Sequence, residues 1–232
     1  LKAVCLYAEG RGEAIHNQVK NLSKGIKIQP TLSVFLSPSE ISDIIALKTK
    51  DSALNTAREW LVIGCYIGQR SASLFKLGKE NIDVKTNTIR LTQIKTKASV
   101  VIPILKPVAD ILAKHNGNFP PLLSSKPKHN YNRFNDLIKD VCKLAGINEI
   151  CKGRIRNIGG RGSEIVSKPK YQLVSSHTMR RSLATNFFGK LNTRVLMSVT
   201  GHVSEQSFLL YINKAREIDT VALNNAFANA ME

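Results

Sequence analysis

The chain has 232 residues, 43% hydrophobic and 22% charged, which is enough for a real core in one large domain or two small ones. Thirty-four Lys and Arg stand against seventeen Asp and Glu; the net charge of +17 points to a polyanionic partner, nucleic acid first among them. No apolar run approaches the ~20 residues of a membrane-spanning helix, and four cysteines without C-x-x-C or zinc-ligand spacing read as free thiols in a reducing, cytoplasmic compartment.

Residues 1 to about 22 have helical apolar spacing (Val4, Leu6, Tyr7, Ile15, Val19) broken by Gly10 and Gly12. The chain opens at Leu1 inside this pattern, which suggests a fragment lacking an N-terminal portion. Gly25 to Leu36 reads as an extended linker. Ser37-Pro38-Ser39-Glu40 then has the form of a capping box with proline at the first helical position. Ile41, Ile44, Ile45 and Leu47 form the stripe behind it. A longer helix begins at Asp51 and ends at Gly68-Gln69-Arg70, with Trp60 in its core. Between Asn81 and Ile104 the period shortens to two, predicting three antiparallel strands, with Pro103 placing the last at an edge.

Helices are expected again at Pro107–Lys114 and from Phe134 to Leu144. Lys152 to Lys170 is strongly basic, and Gly159-Gly160 between alternating runs fits either a charged hairpin or a solvated loop. Three helices follow: His177 to Gly189; one capped by Asn192 and stopped by Gly201; and one from Ser204 carrying Phe208 and Tyr211. A last helix, from about Ala215 to Met231, has a weak apolar face at Ile218 and Val221.

His177 and Arg180, three apart at a helix start, share a face where backbone N–H groups already favour an anion. Arg181 beside them suits a second phosphate contact or plain surface charge. His202 and Tyr211 stand nine apart, making the tyrosine a nucleophile candidate facing an imidazole. A phenol with a nominal pKa of ~10 needs cationic neighbours to react near neutral pH. His16, His115 and His129 lie outside every motif.

Gly68-Gln69-Arg70, His177-Thr178-Met179-Arg180, and Gly201-His202 with Tyr211 resemble, in order and spacing, the tyrosine recombinases of the phage-integrase family. The run from Thr200 to Tyr211 most resembles integrases of phages and integrative mobile elements. The likeness spans about Leu36 to Ile212. It implies a mainly α catalytic domain with a small three-stranded antiparallel sheet (α+β). Residues 1–25 would be the end of a core-binding domain and its linker, and residues 26–232 the catalytic domain. It implies Tyr211 as nucleophile, Arg70 and Arg180 as phosphate clamp, and His177 and His202 as hydrogen-bonding and proton-handling groups. Lys95, on the second hairpin turn, would protonate the leaving 5′-oxygen, with Lys97 the runner-up. Lys97, Arg154, Arg156, Arg161 and Arg181 are the expected DNA contacts.

The partners implied are double-stranded DNA, a homotetramer on DNA and accessory bending or directionality factors; neither metal nor ATP is implied. Ser73 stands where the family usually has an acidic residue. Lys152–Lys170 exceeds what the shortest members carry and is read as a hairpin over DNA. The rival readings are a type IB topoisomerase and a helix-turn-helix DNA binder without chemistry.

Overall fold

The computed structural model describes residues 1–22, 32–94, 97–156 and 162–212, and the chain separates into two compact units, Leu1–Pro30 and Thr31–Glu232. The first holds helix α1 (Lys2–Glu9) and a short 3-10 helix (Asn17–Asn21), neither with a buried residue. The predicted final helix from Ala215 lies outside the described residues.

The second unit is mainly helical with a small three-stranded antiparallel sheet, the fold class expected. Helix α2 (Pro38–Ala46) starts on the predicted capping box: Ser37 Oγ accepts from Glu40 N (3.2 Å), and Glu40 Oε2 accepts from Ser37 N (2.7 Å). Helix α3 (Ser52–Ile67) is capped by Asp51, whose carboxylate accepts from Ala53 N and Leu54 N. It is buried nearly all round because other helices pack on several of its faces. Trp60 stacks on Phe119 and meets Phe75 edge-on, its Nε1 donating to the Pro121 carbonyl.

Strands β1 (Ile82–Asp83), β2 (Thr88–Thr92) and β3 (Ser99–Pro103) run in sequence order, pairing Ile89 with Ile102 and Leu91 with Val100. Those four residues are buried on one face while Arg90 and Val101 point away, the alternation that set the prediction. Helix α4 (Ser71–Leu74) precedes the sheet, and helices α5 (Lys106–Lys114) and α6 (Pro127–Leu144) pack on α3. Strands β4 (Ile150–Arg156) and β5 (Ser163–Pro169) pair antiparallel, so the basic segment is a hairpin. Helices α7 (Lys170–Leu173), α8 (Ser176–Phe187), α9 (Thr193–Thr200) and α10 (Glu205–Tyr211) complete the unit.

The pairing of α3 with α8 sets the site. A Cβ at Gly64 would lie 2.1 Å from Met179 Sδ, so only glycine lets the two helices approach this closely. A second apolar cluster of Leu183, Ala184, Leu196, Phe208 and Ile212 seats α9 and α10 on the far end of α8.

Two expectations are corrected. The described end of the presumed linker is tied to α8: Leu36 is fully buried, its N–H donates to Ser182 Oγ and its carbonyl accepts from Asn186 Nδ2. Leu32 accepts from Arg154 N of β4. Lys170 is not surface charge, being 7% exposed and paired with Glu40 at 2.7 Å. Glu59 is also buried, held by Lys114 and His115; burial alone would raise its carboxyl, but these partners keep it below its usual pKa.

Candidate active site

Helix α3 stops at Gly68, which takes the left-handed conformation, and the chain turns through Gln69 to Arg70 at the cap of α4. Arg180, one turn into α8, reaches back to this turn and donates from Nη1 to the Gly68 carbonyl at 3.1 Å. The two arginines, 110 residues apart in sequence, thereby share one site. Arg180 is 2% exposed, and its Nη2 has no hydrogen-bond partner among the described residues. A buried guanidinium nitrogen without a hydrogen-bond partner is costly, and Arg180 has no carboxylate beside it to form a structural ion pair among the described residues.

Helix α9 ends at Gly201 (φ 59°), whose N–H bonds to Ser198 O while His202 N bonds to Met197 O. His202 thus leaves the helix end towards α10. Its Nδ1 lies 2.9 Å from Thr200 Oγ1, and that hydroxyl donates to the Leu196 carbonyl at 2.5 Å. With its hydrogen so committed, Thr200 accepts from Nδ1–H and leaves His202 Nε2 free to accept a proton. The imidazole lies 4.9 Å from the Tyr211 ring, centroid to centroid.

Tyr211 is gripped on three sides. Its hydroxyl donates to the His177 carbonyl at 3.4 Å, its carbonyl accepts from Arg181 Nη1 at 2.5 Å, and the Arg181 guanidinium lies 4.3 Å from its ring centroid. Arg181, expected at a phosphate or in solvent, is 5% exposed and engaged on the tyrosine.

Electrostatics separate the groups. Burial raises the Tyr211 phenol, and Arg181, Arg180 and Arg70 pull the other way without overcoming it. Burial and the neighbouring Arg70 depress Arg180 to about 10. Burial, then Arg180, Arg70 and Arg181, lowers His177 and takes His202 to about 4. Both imidazoles are therefore neutral at pH 7. The unfolded chain takes up a proton at His202 near pH 6.5 and the folded chain only near 4, so stability falls as pH drops through that window. Urea melts of the wild-type and His202→Gln proteins between pH 7 and 4 check this: the variant should lose less stability across the window.

Arg70, His177, Arg180, His202 and Tyr211 come together, although Leu36 to Ile212 offered only local patterns for each. Lys95 and Arg161 lie outside the described residues. Lys97 is exposed, with a left-handed backbone at the hairpin turn. Arg154 is exposed on β4 and donates to Ser163 Oγ, and Arg156 closes β4 opposite Ser163. Ser73 accepts from Ile94 N at 3.3 Å, tying α4 to the base of the β2–β3 turn without a carboxylate. Sequence reasoning missed Gln69 and Gln93, both 1% exposed beside this site; nothing in their spacing marks a buried amide pair.

None of the curated proteins matches this chain significantly. Among solved structures, XerA recombinase matches at 16% identity and TM-score 0.54, over 100% of this chain and 74% of its own. The Tn1549 transposon integrase, in complex with transposon right end DNA, matches at 16% identity and TM-score 0.63, over 97% of this chain and 75% of its own. A lambda integrase dimer bound to a COC′ core site matches at 17% identity and TM-score 0.54, over 92% and 71%. At these identities the likenesses establish the fold. The profile of the phage integrase family matches residues 34–217, most of the chain and every described residue of the site. The chain belongs to the phage integrase family.

Proposed function

We propose that this protein is a site-specific DNA recombinase that breaks and rejoins duplex DNA through a 3′-phosphotyrosine at Tyr211. The observation that carries the reading is Arg180: a buried guanidinium beside Arg70 and within reach of the Tyr211 hydroxyl, whose Nη2 has no well-formed hydrogen bond among the described residues. A phosphodiester would satisfy those donors, and its negative charge would offset the desolvation that depresses Arg180. Arg70 and Arg180 would hold the non-bridging oxygens as negative charge builds on them.

Tyr211 Oη attacks phosphorus, a P–Oη bond forms and the P–O5′ bond breaks. The phenol proton passes to a neutral acceptor, and His202 Nε2 is the base so poised. The departing 5′-oxygen takes a proton from Lys95, in the sequence between β2 and β3. Attack by a 5′-hydroxyl on the phosphotyrosine then reverses these steps and reseals the strand. The phosphodiester energy is kept in the protein–DNA bond, so resealing draws on no nucleotide cofactor.

A cleft of about 280 Å³ beside His177, lined in part by Asn135, Lys139, Arg154 and Ser175, extends the cationic surface towards the β4–β5 hairpin. Arg154 is proposed to follow the DNA backbone there, and Lys97, Arg156 and Arg161 to be further DNA contacts. We read residues 1–25 as the end of a separate DNA-clamping domain and its linker, and the working assembly as a tetramer on DNA.

The test is a pool of nicked duplexes of randomised sequence, incubated with the protein in EDTA and then denatured. A DNA-linked protein whose protease digest yields a phosphotyrosyl peptide spanning Tyr211 is expected. Salt-sensitive binding without an adduct would overturn the reading in favour of a helix-turn-helix binder. Adduct formation together with sequence-independent relaxation of supercoiled plasmid would replace it with a topoisomerase.

A further inference from the structure

We infer that Gln69 and Gln93 form a buried amide clasp that positions three segments of the site against one another, an inference that rests on the recombinase reading. Gln93 Nε2 donates to Gln69 Oε1 (2.9 Å) and to the Val199 carbonyl (2.8 Å). Gln69 Nε2 donates to the same Val199 carbonyl (2.8 Å) and, less closely, to Ile67 O (3.3 Å). Each participant sits next to a group of the proposed chemistry. Gln69 precedes Arg70 and follows Gly68, the residue that receives Arg180. Val199 lies three residues before His202. Gln93 is the base of the β2–β3 turn, its N–H bonded to Ala98 O and its carbonyl accepting from Lys97 N.

Helix termination explains why the clasp exists. The last carbonyls of α9 have no intrahelical donor. The Schellman-type turn serves Met197 and Ser198, and Val199 is left to the two amides. Gly201 makes room for them: a Cβ there would lie 2.2 Å from Gln93 Oε1. Both side chains are 1% exposed, so a lost partner leaves a desolvated polar group that water cannot serve. Relaxation of that strain would move the hairpin turn, the Arg70 turn or the His202 turn, and each carries a different role. Ser73 Oγ, accepting from Ile94 N, adds a second tie between hairpin and α4.

Gln93→Met and Gln69→Met keep volume and remove the donors, and thermal melts show whether each variant folds. Single-turnover cleavage is measured on the duplex best cleaved by the wild type, made with either the natural 5′-oxygen or a 5′-bridging sulfur. Sulfur leaves without needing a proton. Gln93→Met is expected to cleave the oxygen substrate about 10- to 100-fold more slowly, with DNA affinity unchanged and most of the deficit recovered on the sulfur substrate. Gln69→Met should show a deficit that sulfur does not recover, because it disturbs the Arg70 clamp. Wild-type rates in folded variants, or equal deficits of Gln93→Met on both substrates, would overturn the clasp. Absence of adduct from the wild type would instead overturn the recombinase reading itself. Should Gln93→Met fail to fold, Gln93→Glu, which keeps shape and replaces the donors with acceptors, is expected to show the same sulfur rescue, and its failure to do so also overturns the clasp.

Discussion

Tyr211→Phe is expected to yield a protein that folds, binds DNA with wild-type affinity and forms no covalent adduct. The substitution removes one oxygen from a side chain whose other restraints remain. The ring keeps the Arg181 guanidinium 4.3 Å from its centroid, and the main-chain bond to Arg181 does not involve the side chain. The hydroxyl's bond to the His177 carbonyl is long, at 3.4 Å, so its loss should cost well under ~1 kcal/mol. Thermal melts and gel shifts should therefore be unchanged while the denaturing gel shows free DNA. A helix-turn-helix protein would show no adduct in either form, whereas an adduct surviving in Tyr211→Phe would place the nucleophile elsewhere.

Arg180→Met is expected to trade activity for stability. The guanidinium is desolvated, lies near a second arginine and is depressed to about 10, so the fold disfavours its charged form at every pH below that value. The bond to Gly68 offsets part of this cost, but Nη2 is left without return. A methionine fills similar volume without the charge, and the DNA-free protein should gain about 1–3 kcal/mol. That corresponds to a rise in Tm of roughly 2–10 °C for a chain of this size. Cleavage should fall by about 10³-fold, the scale of losing donors aimed at developing charge. Differential scanning calorimetry and single-turnover assays give the two readouts. A fall in Tm would mean that the guanidinium serves the fold rather than a phosphate.

The same groups carry a further consequence. His177 and His202 are held neutral by burial and by the arginines, and an arriving phosphate opposes that shift. Substrate would thus alter the protonation balance that the free protein keeps.

What the sequence determined by itself is local. The capping box at Ser37, the Asp51 cap, the alternation from Thr88 to Ile102 and the glycine stops at Gly68 and Gly201 are written within a few residues of where they act. Hydrogen bonds and burial at spacings of two, three and four residues need no knowledge of the rest of the chain. The recombinase-like motifs were legible for the same reason: each is a short run at the end of one helix.

Tertiary structure alone decided which neighbours those runs would meet. Arg181 and Arg180 are adjacent in sequence and equally basic, yet α8 directs one to the Gly68 carbonyl and the other to Tyr211. Lys170 and Arg154 look alike in a basic segment, but one is buried on Glu40 and the other exposed. Gln69 and Gln93 had no pattern to betray them, since their shared carbonyl at Val199 is more than a hundred residues away. Polar side chains take their roles from whatever unsatisfied group packing leaves beside them. That choice is made only when α3, α8, α9 and the hairpin close on one another.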